Sequence, residues 1–309
     1  MKNPTSQRGT AIIVALFVTA LVAAAAIATL EHVRMDTRRT ELILNMNQAN
    51  LYAEGSIAWA KDQLINDWKQ QQTGKVVDRT PILSAVNTVN NAKIVSIIYD
   101  AQGKLNLNNL TDTQFQALFT QLISVVAPDV DPAAAQNITL AVVDWITPGI
   151  HNSAYDQYYA ALPSPYRAPH QLMVSVSELR LVKGMTPILY AKLTPYVTAL
   201  PDKTKININS VPIPIIMSFS PSVTFATAKA FDNFRRQSPV ANLNMLGNFT
   251  AVQSSPIGQS SLTVISSFFL LKTNVTIAKQ QLTLYTLMLR LLKNNQPIVI
   301  TIWQSKGTL

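Results

Sequence analysis

The sequence predicts an α+β fold in which a long N-terminal helix and an antiparallel sheet are interrupted by a large α-helical insertion domain. The helix is indicated by residues 10–30, which include no charged residue, no proline and no glycine. An apolar stripe with helical spacing continues that stretch to Trp68. Strand signals occur before Gly103 and again after Ser261, on either side of a helical region. We therefore expect the insertion to separate strands of one sheet.

Composition limits the possible functions. The chain has 309 residues, of which 48% are hydrophobic and 13% charged, and its formal charge is +9. The basic residues occur singly or in pairs such as Arg38-Arg39 and Arg235-Arg236. Such dispersed charge is typical of a solvated surface, and we expect no nucleic-acid binding. The absence of cysteine excludes disulfides, Cys-ligated zinc and thiol catalysis.

The N-terminal segment allows three interpretations. It can be a secretory signal peptide cut after Ala26-Ile27-Ala28, a plain signal anchor, or a leader that is cut before the hydrophobic stretch. Residues 10–30 are long enough to cross the ~30 Å hydrocarbon core of a membrane as a helix. Basic residues are nearly balanced on the two sides of this span, so charge does not decide its orientation.

The residues that follow the hydrophobic stretch favour the third interpretation. No proline occurs between Pro4 and Pro81. The apolar stripe consists of Met35, Leu42, Met46, Ala49, Ala53, Ile57, Ala60, Leu64 and Trp68. Together these features predict one helix of about 60 residues, roughly 90 Å long. A cleaved signal peptide needs no such continuity, whereas a stalk subunit packs one half of the helix on its own head domain and the other among neighbours.

Several stretches along the chain resemble one family. Gln7-Arg8-Gly9, followed by the apolar residues 10–16, resembles a prepilin peptidase site. The other stretches are Val142-Val143-Asp144-Trp145-Ile146, Tyr158-Tyr159 with Pro165-Tyr166-Arg167, residues 176–185 and residues 200–209. In content and order they are similar to minor pseudopilin K of type II secretion (general secretion pathway protein K). The resemblance spans nearly the whole chain, and the run from Ser177 to Met185 is a specific part of it.

The resemblance implies cleavage by prepilin peptidase between Gly9 and Thr10, followed by N-methylation of Thr10. It also implies a single-pass protein of the inner membrane, with a cytoplasmic N-terminus and most of the chain in the periplasm. Most pilins carry a glutamate five residues after the cut, where this chain has Val14. In family K this difference is read as the mark of the subunit at the pseudopilus tip, and the resemblance implies a non-catalytic structural role there. Its implied partners are the I- and J-type minor pseudopilins, and its role is to support protein export across the outer membrane.

The predicted organisation has six parts. They are a leader at 1–9, the transmembrane part of the helix at 10–30, its periplasmic amphipathic part at 31–71, first strands at 75–100, a mainly helical insertion domain at 101–255, and strands completing the sheet at 256–309. Within the insertion we expect helices at 111–126 and 132–146, a helix that begins at Ser177, is capped by that hydroxyl and breaks at Gly184, and another from Pro187. C-terminal strands are expected at 268–277, 282–291 and 297–303. The run 104–108 is echoed at 205–209, which predicts two similar helical units in tandem.

No catalytic grouping is recognisable in the sequence. His32, His151 and His170 lie in no metalloprotease motif, and nucleophile-elbow, phosphate-loop and EF-hand patterns are absent. We therefore expect a protein that is not an enzyme and requires no cofactor. The resemblance implies calcium as the one candidate ion, on Asp144 and Asp156, which flank a loop that is acidic in K-type pseudopilins. A hydrogen bond at a helix end is the alternative role of Asp144.

Two other functions stay open at this point. Residues 178–184 resemble a helix-hairpin-helix turn, although such turns have a second glycine where this chain has Thr186. With the basic charge, this turn would suit a membrane-anchored DNA-uptake protein. Cleavage after Ala28 would instead release a periplasmic binding module.

Overall fold

The computed structural model describes residues 6–73, 82–83, 86–249 and 257–307. The helices are α1 (Ser6–Gln72), α2 (Thr113–Val126), α3 (Pro132–Ile146), α4 (Ala154–Ala160), α5 (Pro187–Leu193), α6 (Ile213–Met217) and α7 (Phe225–Gln237). The strands are β1 (Ile82–Leu83), β2 (Asn87–Val89), β3 (Ala92–Asp100), β4 (Leu105–Asn106), β5 (Val197–Thr198), β6 (Ile206–Asn207), β7 (Leu262–Thr263), β8 (Phe268–Ile277), β9 (Gln280–Lys293) and β10 (Gln296–Lys306). Leader residues 1–5, the start of the predicted first strands at 75–81 and the predicted boundary at 255 lie outside the described residues.

The N-terminal helix α1 is continuous over 67 residues, in agreement with the sequence pattern. Its buried face consists of Ala49, Ala53, Ile57, Ala60 and Leu64, which pack on the sheet. The alanines allow the helix backbone to approach the strands closely, and Leu64 fills the space between them. Met35 and Leu42, which belong to the same predicted stripe, are exposed. The helix therefore packs on its own head domain only through its C-terminal half.

The main sheet is antiparallel throughout, with strand order β1-β3-β8-β9-β10 and with β2 also paired to β3. Tight turns join two of its strand pairs. Asn90 and Asn91 connect β2 to β3, and Asn294 and Asn295 connect β9 to β10, all four with positive φ. Asparagine tolerates this left-handed conformation better than most residues, which suits the two-residue turns of hairpins. The three predicted C-terminal strands are confirmed, each within a few residues of its expected bounds.

The insertion, defined as the described part of residues 101–267, leaves the sheet after β3 and rejoins it at β8. Its core is separate from that between α1 and the sheet. Helix α3 has the predicted bounds because Asp131 accepts hydrogen bonds from the N–H groups of Ala133 and Ala134 ahead of a proline at the first turn. Helix α2 begins two residues late, at Thr113, because a 3₁₀ helix ends at Thr111. The predicted α+β fold class is confirmed.

Two expectations for the insertion were wrong in detail. The predicted α-helix capped by Ser177 is a 3₁₀ helix, Val176–Leu181, and its cap is Ser175. The reason is a capping box: the Ser175 hydroxyl accepts from the Ser177 N–H, and the Glu178 carboxylate accepts from the Ser175 N–H. The insertion also extends beyond residue 255, because Ile257 and Leu262 lie in its core and β7 pairs with β6.

The two echoed runs form two similar units, as the tandem repeat predicted. The first contains β4, paired in parallel with β5, and the second contains β6, paired in parallel with β7. In the first unit, the Asn108 side chain accepts from the Met173 N–H and donates to the Met173 carbonyl. In the second, the Asn209 side chain makes the same two bonds to the backbone of Val240. Each asparagine therefore holds one distant loop segment as a backbone strand partner would.

Two buried or half-buried side chains are among the links between the insertion and the sheet. Asp100, at the end of β3, accepts hydrogen bonds through Oδ2 from Asn207, at 2.8 Å, and from Ser266, at 2.7 Å. The Gln102 side chain donates to the Lys205 carbonyl and accepts from the Phe268 N–H at the start of β8. The points where the chain enters and leaves the insertion are therefore linked to each other and to the second echoed unit.

Candidate functional site

The first candidate site is the N-terminal part of α1. The helix contains one apolar stretch long enough to cross a membrane, and none of that stretch is buried within the protein. Gly9 and Thr10, the residues predicted to flank the cleavage, are exposed and lie within α1. Ile13 and Phe17 are more than 60% exposed, so these side chains need a membrane or a neighbouring subunit to cover them.

Two ion pairs follow the C-terminal end of this apolar stretch. Glu31 is the first carboxylate of α1, and it lies 3.1 Å from Arg34. One turn further on, Asp36 lies 3.8 Å from Arg39. Both pairs are largely exposed, so their contribution to stability is small, of the order of 0.3–0.5 kcal/mol each. The apolar stretch itself, residues 10–30, contains no carboxylate, and position 14 is a valine.

The second candidate site lies in the insertion, where α3 ends and α4 begins. Asp144, in the last turn of α3, is 7% exposed, and its Oδ2 atom is buried without a hydrogen-bond partner. The loop that follows turns through Gly149 and Asn152, both with positive φ. Asp156 then forms a capping box with Ser153: the Asp156 N–H donates to the Ser153 hydroxyl, and Asp156 Oδ2 accepts from the Ser153 N–H. The box fixes the Asp156 carboxylate and leaves Oδ1 free of the helix.

The structure adds His170 to the two predicted aspartates. The imidazole Nε2 lies 2.9 Å from Asp156 Oδ1, and Nδ1 lies 2.9 Å from the Asp144 carbonyl oxygen. One ligand atom from each of the three residues lies within 4.8 Å of the others. No local pattern in the sequence indicated His170, because its partners are 14 and 26 residues away and its backbone has a left-handed φ of 47° that only the tertiary fold imposes.

Burial and hydrogen bonding shift the pKa values of all three groups. Burial raises the pKa of Asp144. Burial would also raise the pKa of Asp156, but hydrogen bonds from His170 and Ser153 outweigh it and lower that pKa. Burial would lower the pKa of His170, yet its hydrogen bonds to Asp156 and to the Asp144 carbonyl raise it. Asp156 and His170 therefore favour their charged forms, whereas burial makes the ionised form of the Asp144 carboxyl unfavourable.

These donors do not fit the calcium ion implied by the resemblance. Calcium takes six to eight oxygen ligands at about 2.3–2.6 Å. Among the described residues the cluster supplies two carboxylates, and its third member is an imidazole nitrogen. The hydrogen bond from Ser153 already occupies one oxygen of Asp156. The alternative role predicted for Asp144, a hydrogen bond at a helix end, does not account for its partnerless Oδ2.

The stretches that carry the family resemblance meet in space beside this cluster. Trp145 contacts Tyr159 edge-on, with ring centroids 5.5 Å apart, and Tyr159 stacks on Tyr166 at 5.2 Å. The Trp145 indole N–H donates to Glu178, which also caps the backbone at Ser175. Burial raises the pKa of Tyr159 to about 12. Residues from four separate stretches thus form a single packed unit.

Comparison with known proteins agrees with this geometry. A family model described as "Type II secretion system (T2SS), protein K" matches residues 103–202, which include all four stretches of the packed unit. A type II secretion system protein K of Pectobacterium carotovorum is 32% identical over 295 residues, covering 88% of this chain and 89% of the relative. The chain belongs to the type II secretion system protein K family. A relative from Klebsiella pneumoniae is 31% identical over 231 residues, covering 66% of this chain and 67% of its own length.

The chain is also similar in fold to a solved structure. A chain of the crystal structure of the GspK-GspI-GspJ complex from the enterotoxigenic Escherichia coli type 2 secretion system matches with a TM-score of 0.68, covering 88% of this chain and all of that chain. At 24% identity this likeness establishes the shared fold. Family membership makes the chain a minor pseudopilin, a structural component of type II secretion, and α1 is its single candidate membrane anchor among the described residues.

Proposed function

We propose that this minor pseudopilin is a non-catalytic subunit at the tip of the pseudopilus, where it assembles with I- and J-type minor pseudopilins. The observation that carries the proposal is the place of the insertion relative to α1. At one end of β9, Gln280 donates to the Leu42 carbonyl; at the other end, Arg290 donates to the Leu64 carbonyl. Strand β8 begins at Phe268, which pairs with Leu289 in β9. The chain therefore leaves the insertion at the end of β9 that contacts Leu64.

The insertion therefore stands beside the C-terminal turns of α1, on the side away from the apolar segment. Between Leu42 and Leu64 the helix rises roughly 33 Å at 1.5 Å per residue. A subunit stacked above this one along a filament would meet the insertion before it reached the sheet. Such a bulky addition is accommodated best where no subunit sits above, which is the tip.

Val14 supports the same position. A carboxylate inside a membrane helix costs about 2.5–3.5 kcal/mol on insertion scales, and is kept where it has a partner. With valine there, α1 offers no carboxylate within the apolar stretch to the N-terminal ammonium of another pseudopilin. A subunit at the end of the filament needs no such pair on its open side.

The proposed partners follow from the relative of known structure, whose complex contains GspK, GspI and GspJ. The exposed apolar residues of α1 would contact both the bilayer and neighbouring helices. We further propose that prepilin peptidase cleaves between Gly9 and Thr10, that Thr10 is then N-methylated, and that the N-terminus faces the cytoplasm. The mature chain would stay in the inner membrane with the sheet and insertion in the periplasm.

Co-purification tests the assembly. The full-length chain, with a C-terminal tag, would be co-expressed with its I- and J-type partners and purified in detergent. We expect the three proteins to elute together in size exclusion, and we expect a gold label on the tag to mark one end of assembled filaments. Labels along the filament length would contradict the tip position. Failure of the three proteins to associate, with normal secretion in a deletion strain, would contradict the whole proposal.

The DNA-uptake alternative makes a different prediction. Lys183, the basic residue of the hairpin-like turn, lies with Nζ 4.5 Å from the centre of the Tyr158 ring, which favours a cation–π contact within the protein over a phosphate contact. We expect no duplex or single-stranded DNA binding by the full chain at physiological salt. Tight binding with a steep salt dependence that Lys183→Gln reduces would favour DNA uptake instead.

A further inference from the structure

We propose that Asp144, Asp156 and His170 bind a divalent transition-metal ion of the zinc class rather than calcium. Imidazole nitrogen is a common ligand for zinc, copper, iron and nickel, whereas calcium and magnesium prefer oxygen. An imidazole with two carboxylates is a donor set that zinc accepts, with water completing the coordination. The proposal stands on the geometry of this cluster and does not depend on the tip position of the subunit.

The first step in the argument is the tautomer of His170. Its Nδ1 faces the Asp144 carbonyl oxygen at 2.9 Å, and a carbonyl oxygen only accepts hydrogen bonds. Nδ1 therefore carries a hydrogen, and in the neutral ring the lone pair lies on Nε2. Histidines that bind metals almost always donate their other ring N–H to a carbonyl or carboxylate in this way, which fixes the ring orientation.

The second step is the separation of the ligand atoms. Nε2 of His170 and Oδ1 of Asp156 are 2.9 Å apart, and both are acceptors when the ring is neutral. A cation must lie between or beside them, and either a proton or a metal ion would serve. Two ligand atoms that each lie about 2.1 Å from a tetrahedral zinc ion are roughly 3.4 Å apart. The observed 2.9 Å is shorter than this, so the Asp156 and His170 side chains would have to separate by about 0.5 Å to admit the ion.

The third step distinguishes a metal ion from a proton. A proton shared by His170 and Asp156 leaves Asp144 Oδ2 buried and without a partner. A buried carboxylate oxygen with no donor is costly. One ion bound by all three residues would neutralise both aspartates and satisfy that oxygen.

The site is also open to solvent on one side. Asp156 and His170 line a surface cavity whose other walls include His151, Asn152 and Arg167. Ions can therefore enter without unfolding of the insertion, and water can reach the remaining coordination positions. Asp144 is buried and does not line this cavity, so its carboxylate is shielded from solvent.

Metal binding by the full-length, untagged chain in detergent tests the proposal. After removal of metal with a chelator, zinc, cobalt and calcium would be titrated separately. We expect one zinc ion per chain, a visible cobalt absorption band from a site containing nitrogen, and no displacement of zinc by excess calcium. X-ray absorption of the zinc-bound, unchanged chain should show one histidine nitrogen in the coordination shell of zinc. This measurement does not depend on whether any variant folds.

The matched variants are His170→Asn and His32→Asn. His32 is exposed on α1, outside the cluster, and its replacement should leave zinc binding unchanged. His170→Asn removes a ligand and should weaken zinc binding at least about 100-fold. Loss of a residue that only hydrogen-bonds a ligand already weakens metal binding by up to about 100-fold. Binding of calcium in preference to zinc, absence of a stoichiometric zinc ion, or equal zinc affinity of His170→Asn and the unchanged chain would each overturn the proposal.

Discussion

The helix–sheet unit, which comprises α1, β1–β3 and β8–β10, and the insertion are stabilised in different ways. The first is a regular structure in which one helix face packs on a hydrogen-bonded sheet. The second has helices of 5 to 15 residues, two-residue strands and long irregular segments around its own apolar core. Its irregular backbone is held by side chains such as Asn108 and Asn209, which replace the missing backbone partners. Regular repetition thus specifies the first region, whereas in the second individual polar side chains fix the loops that surround its apolar core.

The largest effect is expected where the two regions meet. Arg290, in β9, is buried and donates to Asp67 Oδ2 at 2.7 Å, to the Leu64 carbonyl at 3.0 Å and to the Ser266 carbonyl at 2.7 Å. It therefore connects α1, the sheet and the end of the insertion. Arg290→Met should lower the free energy of unfolding by about 3–5 kcal/mol, because it leaves Asp67 as a buried charge without its guanidinium.

Denaturant unfolding of the full chain in detergent would measure this effect. Lys293→Met, on the same strand but exposed, is the matched control and should change stability by less than about 0.5 kcal/mol. Replacement of both Arg290 and Asp67 by apolar residues should recover part of the loss. Equal stability of Arg290→Met and the control would mean that Arg290 does not hold α1, the sheet and the end of the insertion together.

A smaller and more local effect is expected at Asn108. Its amide satisfies the Met173 N–H, the Met173 carbonyl and the Leu200 carbonyl, and it is fully buried. Asn108→Ala should cost about 3 kcal/mol, because unsatisfied buried groups cost roughly 1–3 kcal/mol each and some will find water. Amide hydrogen exchange should speed up in the insertion and stay unchanged in β8 and β9.

Asn137→Ala is the matched control for Asn108→Ala, because Asn137 is exposed on α3. It should leave exchange in the insertion unaltered. Faster exchange throughout the sheet of Asn108→Ala would contradict the view that this asparagine stabilises only the insertion.

The same contrast between the two regions explains which parts of the structure the sequence could predict. The bounds of α3 were predictable because Asp131 and Pro132 define its start locally. The strands after residue 267 were predictable from alternation, which matches their burial pattern. His170 was not predictable, since its role depends on groups brought together across two loops. The cap at Ser175 was missed because Ser177, two residues on, offers the same hydroxyl to a nearby N–H.

The smallest mutational effects are expected at two glycines, Gly103 and Gly55. A Cβ atom on Gly103 would lie 2.7 Å from the Ser210 Cβ and 2.8 Å from the Ser210 carbonyl oxygen, so Gly103→Ala should cost about 1–3 kcal/mol by forcing the two echoed units apart. A Cβ atom on Gly55, inside α1, would meet nothing within 4 Å. Gly55→Ala should therefore stabilise the chain by about 0.5–1 kcal/mol through helix propensity. Thermal unfolding of both variants would check the contrast, and equal shifts in the two would contradict it.

The intact mass of the mature protein, isolated from the membrane of cells with an active prepilin peptidase, tests the central claim most directly. A pseudopilin keeps the whole apolar part of α1, so we expect the mass of residues 10–309 with one added methyl group on Thr10. Blocking the peptidase should leave the mass of the uncut chain. A mature N-terminus near Thr29 would mean that the apolar segment is removed as a signal peptide, and would contradict a membrane-anchored role at the pseudopilus tip.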